Sequence, residues 1–277
     1  MPASRRDFIA LTAASPLIAS QSPGDSGFTP LNDGWQIIDG PESSFVIEDG
    51  EIAVSPFTAF PTWLRSSKEY ENFDLRGEFF IKGWTDSGIY IHAPLHGRPT
   101  WCGMQMKVFH QKDEKPTAWS CGAILPVVAP SRVPVRQEWN DFRILCDWPH
   151  LQVWINGDLV HDIDMSAHPD LRHRLRAGYL GIAAASAPCR FRNLRIKELP
   201  SKLQWTTLYG KPADLDANWA VSEGKPDFTP FGPILRSDAL GHLATKAKYR
   251  DFEFECYFRG CAQHNGGVIF RSEGRGT

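Results

Sequence analysis

The residues best able to do chemistry gather in one short stretch, Gln105-Met-Lys-Val-Phe-His110, with Trp101 before it and Trp119 after it. The imidazole of His110 titrates near neutrality by nature, which suits it to acid or base work. Lys107 can take a proton only where burial or a neighbouring cation lowers its pKa; otherwise it supplies a fixed positive charge. Gln105 cannot titrate and offers hydrogen bonds alone. In an extended chain Gln105 and Lys107 share a side, whereas His110 has the opposite parity and joins them only if the strand ends or bulges before it. An indole face covers the apolar face of a pyranose, so Trp101 and Trp119 suit a sugar ring, although either would serve equally well as sandwich core. The chemistry on offer is proton transfer beside a sugar, and the competing reading makes Lys107 and His110 ordinary polar rim residues.

Bulk properties narrow the partners. A net charge of −2 over 277 residues gives no electrostatic footprint for nucleic acid or an anionic membrane. Ten Trp, 17 Phe, 23 Gly and 21 Pro favour many strands and turns over long helices. The six cysteines (Cys102, Cys121, Cys146, Cys189, Cys256 and Cys261) show no metal-binding spacing, so no metal is expected and no cofactor is specified. Cys102 and Cys121 could lie on neighbouring strands; buried free thiols are expected for the rest. At the N-terminus, Ser4-Arg-Arg-Asp-Phe-Ile9 matches the twin-arginine pattern and an apolar run to Ala19 follows. Residues 1–20 are therefore read as a twin-arginine signal peptide and 21–27 as a linker, which places the mature chain in the periplasm or outside the cell, with no later segment apolar enough to span a membrane.

The elements that must position the Gln105–His110 stretch are strands. Phe45-Val-Ile-Glu and Glu51-Ile-Ala-Val flank Asp49-Gly50, and Leu151-Gln-Val-Trp-Ile is followed by Asn156-Gly157; both dipeptides favour tight hairpin turns. Phe73, Leu75, Phe79 and Ile81 fall on one face with Asp74, Arg76, Glu78 and Lys82 opposite. The one helical candidate after the signal is a short turn near Asp170–Arg176. An all-β chain of many short strands needs a sandwich or barrel to hide its edges.

The sequence also repeats itself. Residues 64–92 align without gaps on 243–271, with Leu64, Tyr70, Phe73, Phe79 and Gly88 matched by Leu243, Tyr249, Phe252, Phe258 and Gly267. The reading is one complete unit over 28–199 and a truncated second copy over 203–277, in which Phe252, Phe254 and Phe258 continue the apolar phase.

Seven motifs of the first unit, in order, resemble the 3-keto-disaccharide hydrolase domain family: Phe28-Thr-Pro-Leu-Asn-Asp-Gly-Trp35, Tyr70-Glu-Asn-Phe-Asp-Leu-Arg-Gly-Glu-Phe79, Asp86-Ser-Gly-Ile-Tyr90, Cys121-Gly-Ala-Ile-Leu125, Glu138-Trp-Asn140, Ile155-Asn-Gly157 and Phe191-Arg-Asn-Leu-Arg-Ile196. The resemblance implies a concanavalin-like jelly roll of two antiparallel sheets whose concave face receives an oligosaccharide or glycoside. It further implies cleavage of glycosides already oxidised at C3, where the ketone acidifies the C2 proton, the C1 substituent is eliminated and water then adds. Such a site needs a base, an enolate stabiliser and an acid near the leaving oxygen.

Departures from the family pattern bear on that activity. Where the family resembles Glu-x-Gln-x-x-Asp, this chain has Gln105, Lys107 and His110, so both carboxylates are missing. Where it resembles Gly-Leu-Gln-Asp-His-Gly, this chain has Gly181-Ile-Ala-Ala-Ala-Ser186. His92 stands at a position the family gives to Arg, and the second unit has Arg271 there. The expected catalytic set is Lys107, His110 and Gln105, and the expected sugar contacts are His92, Trp101, Trp119 and Arg271. The alternative function is a degenerate, non-catalytic sugar-binding or adhesive module.

Overall fold

The computed structural model describes residues 26–56, 61–110, 115–224, 228–232, 234–237, 241–250, 252–256, 258, 260 and 266–270. The expected signal peptide, the Gln21–Asp25 part of the linker, Cys261 and Arg271 lie outside these. The chain divides into two units, 1–202 and 203–277.

In the first unit the strands are β1 (Thr29–Pro30), β2 (Trp35–Ile38), β3 (Phe45–Glu48), β4 (Glu51–Val54), β5 (Trp63–Tyr70), β6 (Phe73–Ile81), β7 (Asp86–Ala93), β8 (Met104–Phe109), β9 (Trp139–Asp147), β10 (His150–Ile155), β11 (Asp158–Asp164), β12 (Gly178–Ala183) and β13 (Cys189–Glu198). They form two antiparallel sheets. One has the order β11-β10-β9-β6-β13-β4-β3, with β1 also on β13; the other is five-stranded, β2-β5-β12-β7-β8. Alternation dictates which side chains meet between them. Phe73, Leu75, Phe79 and Ile81 of β6, Ile89 and Ile91 of β7, Met104, Met106 and Val108 of β8, and Phe191 of β13 are buried in one continuous core. Burying each such side chain stabilises the fold by about 1.5–3 kcal/mol.

The hairpin signals behave as their chemistry requires. Asp49 and Gly50 have φ of 49° and 77°, and Asn156 and Gly157 have 51° and 81°, the left-handed values a two-residue hairpin turn demands. Asp170–Arg176 is turn rather than helix. The short helix of this unit, α1 (Pro99–Cys102), lies between β7 and β8 instead, with Pro99 at its first position, where a missing N–H costs nothing. Cys102, Cys121, Cys146, Cys189 and Cys256 form no disulfide, so the pairing considered for Cys102 and Cys121 is not formed.

The second unit contains α2 (Ala213–Asn218) and two two-stranded sheets, β14 (Trp219–Gly224) with β17 (Gly241–Thr245) and β15 (Phe228–Phe231) with β16 (Ile234–Ser237). Phe252, Phe254 and Phe258, which the repeat places on the core face of a strand, are exposed and belong to no strand among the described residues. Their counterparts Phe73 and Phe79 are fully buried in the core shared by the two sheets of the first unit.

Candidate active site on the five-stranded sheet

The outer face of the five-stranded sheet, turned away from the core, carries two cross-strand rows. Register places Ile38 beside Trp63, Trp63 beside Ala183, and Gly88 beside Lys107. The adjoining row runs Gln36, Arg65, Gly181, Tyr90, Gln105. Trp63, Tyr90, Ala93 and Ala183 pack together there as a second small cluster, with the Tyr90 ring edge-on to Trp63 at 5.4 Å. Two glycines let these side chains lie flat. A methyl on Gly181 would come 2.5 Å from the Trp63 ring, and one on Gly88 would come 2.2 Å from Gln105 Nε2.

Gln105 and Lys107 share this face, as their spacing requires, and both are buried although they point away from the core. Gln105 Nε2 donates to the Ser87 carbonyl at 3.3 Å. Lys107 Nζ donates to Asp86 Oδ1 at 2.7 Å; its side chain is 6% exposed, whereas that of Asp86 is 47% exposed. The ammonium is thus held inside while its counter-ion reaches water. Sequence reasoning treated Asp86 only as one letter of a motif. The readable signal was a double exchange: the family's Asn and Gln become Asp86 and Lys107, two departures that complement each other as an ion pair across β7 and β8. Burial pushes the Tyr90 phenol up to about 12, with Asp86 raising it slightly and Arg98 opposing, so it remains a hydrogen-bond donor throughout the neutral range.

His110 is the first residue past the end of β8, which frees it from the parity that would have sent it inward. Its Nδ1 lies 3.1 Å from the Thr85 carbonyl, an acceptor, so Nδ1 carries the proton of the neutral ring and Nε2 is the basic nitrogen. The ring packs against Phe109 at 4.4 Å and Trp84 at 5.1 Å. Lys107 Nζ in turn sits 4.8 Å over the Phe109 ring. Lys107 and His110 are therefore linked through Phe109 at one end of the sheet.

The remaining expected contacts divide. Trp101 and Trp119 are 75% and 61% exposed, which rules out their core reading. His92 departs from expectation. It is 2% exposed, its ring stacks edge-on to Phe73 at 5.7 Å, and its Nε2 and Nδ1 face the carbonyls of Glu71 and Leu175 at 2.7 and 3.0 Å. The cause is a bulge: opposite Tyr179 and Gly181, β7 inserts an extra residue and His92 adopts φ 51°, which turns the imidazole inward. Burial lowers its pKa to about 4, against both carbonyls, which favour the protonated ring. Arg271 lies outside the described residues.

Two further groups on this face escaped sequence reasoning. Glu69 pairs with Tyr179 across β5 and β12, and burial raises its pKa. Arg65 donates to Gln36 Oε1 at 2.7 Å and the Leu95 carbonyl at 3.2 Å, and lies 4.6 Å over the Tyr179 ring. Among the described residues its Nε is buried without a hydrogen-bond partner. Other motif residues are structural. Fully buried Asn140 donates to the Arg136 and Glu138 carbonyls and accepts from Arg136 N and Asn156 Nδ2. Asn72 accepts from Trp148 N and donates to the Pro200 carbonyl, closing the unit's end against its middle.

A family model described as the 3-keto-alpha-glucoside-1,2-lyase-like domain matches residues 27–197. No curated protein matches the chain. Among solved structures, two proteins of Parabacteroides distasonis ATCC 8503, each named provisionally as a glycosyl hydrolase, share the fold. One is 20% identical with a TM-score of 0.53, over 62% of this chain and 99% of its own. The other is 19% identical with a TM-score of 0.54, over 64% and 96%.

Proposed function

The chain belongs to the 3-keto-alpha-glucoside-1,2-lyase-like domain family, and from that premise we propose that its first unit binds a C3-oxidised glycoside at the Lys107–Asp86 end of the five-stranded sheet and cleaves it by elimination. The observation that carries this reading is the buried Lys107 ammonium 2.7 Å from the half-exposed Asp86 carboxylate, with His110 beyond Phe109 at the same end of the sheet. His110 Nε2 takes the C2 proton, and the electron pair passes into the C3 carbonyl as an enolate. Lys107 supplies the positive charge for that oxygen, and a charge held in a water-poor site acts more strongly than one in bulk water. Return of the electrons expels the C1 oxygen, which takes the proton from His110 as it leaves, and water then adds across the new C1–C2 double bond. Asp86 positions Lys107, and Gln105 offers an amide to a sugar hydroxyl.

Turnover is slow on this reading, since Gln105 and His110 stand where the family pattern has carboxylates. Losing one positioned acid or base costs about 10²- to 10⁴-fold. A second reading, sugar binding without turnover, is favoured by Ala183 and Ala185 at two polar family positions. Export through the twin-arginine route belongs to both readings. Incubating the purified protein with a 3-keto-glucoside in heavy water separates them. Elimination with hydration puts deuterium at C2 of the released sugar, and His110→Ala lowers the rate by about 10²- to 10⁴-fold. Saturable binding with no deuterium incorporation establishes the binding module and refutes the enzyme.

A further inference from the structure

Beyond the ion pair, the same end of the sheet carries an exposed indole that the proposed chemistry does not use. Trp84, in the turn between β6 and β7, is 79% exposed. Leaving so large an apolar side chain in water forgoes about 1.5–3 kcal/mol of burial, and an isolated case needs no explanation. This one is built in. Thr85 Oγ1 donates to either the Lys82 or the Pro188 carbonyl, each 3.0 Å away, and accepts from Lys82 N. The Thr85 carbonyl accepts from His110 N at 2.9 Å, and Ser186 Oγ donates to the Trp84 carbonyl at 2.8 Å. The turn is therefore tied to β8, to the β12–β13 loop and to itself. Behind the indole, His110 packs 5.1 Å away at an interplanar angle of 60°. The backbone that carries the indole is thus anchored and the ring has His110 on one side, so a partner stacking there meets a turn that is already ordered.

Its location says what would stack there. From Lys107 the contacts run through Phe109 to His110 and then to Trp84. If His110 removes the C2 proton, the C1 substituent, one carbon away, lies beside His110, where the indole stands. The half-exposed Asp86 carboxylate, two residues along the chain, offers an acceptor for hydroxyl groups at that edge. A ring with one apolar face and a hydroxylated rim matches this pairing of indole and carboxylate better than a purely apolar ring does. We infer that Trp84 is the platform on which the leaving-group ring stacks, and thus the residue that favours a sugar over a small aglycone at that position. This inference rests on the proposed placement of the oxidised ring next to Lys107 and His110.

The test is the Trp84→Ala variant, with Trp84→Phe to keep a ring in place, read in two ways. The first is NMR titration of the full chain with an unoxidised disaccharide and with the methyl glycoside of its reducing-group-free half; neither undergoes elimination, so binding is seen apart from chemistry. Stacking on an aromatic face corresponds to about a 3- to 10-fold change in affinity. The ratio of disaccharide to methyl-glycoside affinity should fall by that factor in Trp84→Ala and stay near the wild-type ratio in Trp84→Phe. The second is the same ratio of kcat/KM on the two 3-keto substrates, with the loss in KM. An unchanged ratio in both measurements overturns the platform, as does an equal loss for both ligands. A ratio that falls only for an aryl glycoside overturns the assignment to sugar. Should the affinity ratio fall while the wild type cleaves neither 3-keto substrate, the platform stands and the elimination reading fails.

Discussion

Acidification provides a direct probe of the buried His92. Its two ring nitrogens face two carbonyls, 2.7 Å from Glu71 and 3.0 Å from Leu175, yet a neutral imidazole has one N–H, which the shorter contact assigns to Nε2. The carbonyls pull toward the doubly protonated ring, whereas complete burial opposes the charge and holds the folded-state pKa at about 4. The unfolded chain takes its proton near 6.5. The sign follows: between these two values the unfolded state binds a proton that the folded state refuses, so the stabilisation is complete above about pH 6.5 and is lost as pH falls toward 4. At about 1.4 kcal/mol per pH unit, the loss from this one residue is about 3 kcal/mol. His92→Asn removes the titration while keeping a residue that tolerates φ near 51°. Urea unfolding of both proteins at steps from pH 7 to 4 gives the comparison, and His161, whose pKa burial also lowers, cancels in the difference. The wild type should lose about 3 kcal/mol more than His92→Asn over that range. If the wild type instead gains on the variant as the solution is acidified, the carbonyls win over burial and the argument is wrong.

Three further outcomes are expected. Asp86→Ala strands the Lys107 ammonium inside and should cost about 1–3 kcal/mol, less than a fully enclosed pair because Asp86 reaches water, while Lys107→Met should stay within about 1 kcal/mol of wild type; thermal melting of both checks the asymmetry. Asn140→Ala leaves three backbone groups and Asn156 without a buried partner and should cost about 2–4 kcal/mol with no change in sugar affinity; loss of affinity in a folded variant would contradict its structural role. Replacing Arg5 and Arg6 by Lys should trap the precursor in the cytoplasm, seen by fractionation, and unchanged export of the double variant would eliminate the twin-arginine route.

Much of the first unit was legible because its signals are local. Period-two alternation named the inward residues of β6 and put Gln105 and Lys107 on one side of β8, and the Asp49-Gly50 and Asn156-Gly157 turns could be read from the φ values those residue types permit. The condition set for His110, that its strand should end first, was also local, and β8 ends at Phe109. Register between strands is not local. Asp86 meets Lys107 because β7 and β8 pair in one particular alignment, and His92 turns inward because of a bulge opposite β12, neither of which alternation along a single strand reports. The same limit explains the second unit: the alternation of Phe252, Phe254 and Phe258 describes a strand that needs neighbours, and the described residues there supply none to it.

The flat-lying side chains over Gly181 and Gly88 have a consequence for how deep this face can become. The backbone there is bare, and Trp63 and Gln105 rest directly on it. Relief is thus stored in side chains rather than in the sheet: trimming Gln105 to serine would open a hollow of about three heavy atoms directly above Gly88, one strand from Lys107, without moving any strand. Adding a methyl at Gly88 would do the reverse, wedging the amide upward and also meeting the Met106 carbonyl at 2.8 Å. A terrain of this kind can be excavated or filled by single substitutions, which makes the two adjoining rows that hold Trp63 and Gln105 the natural place to reshape this face.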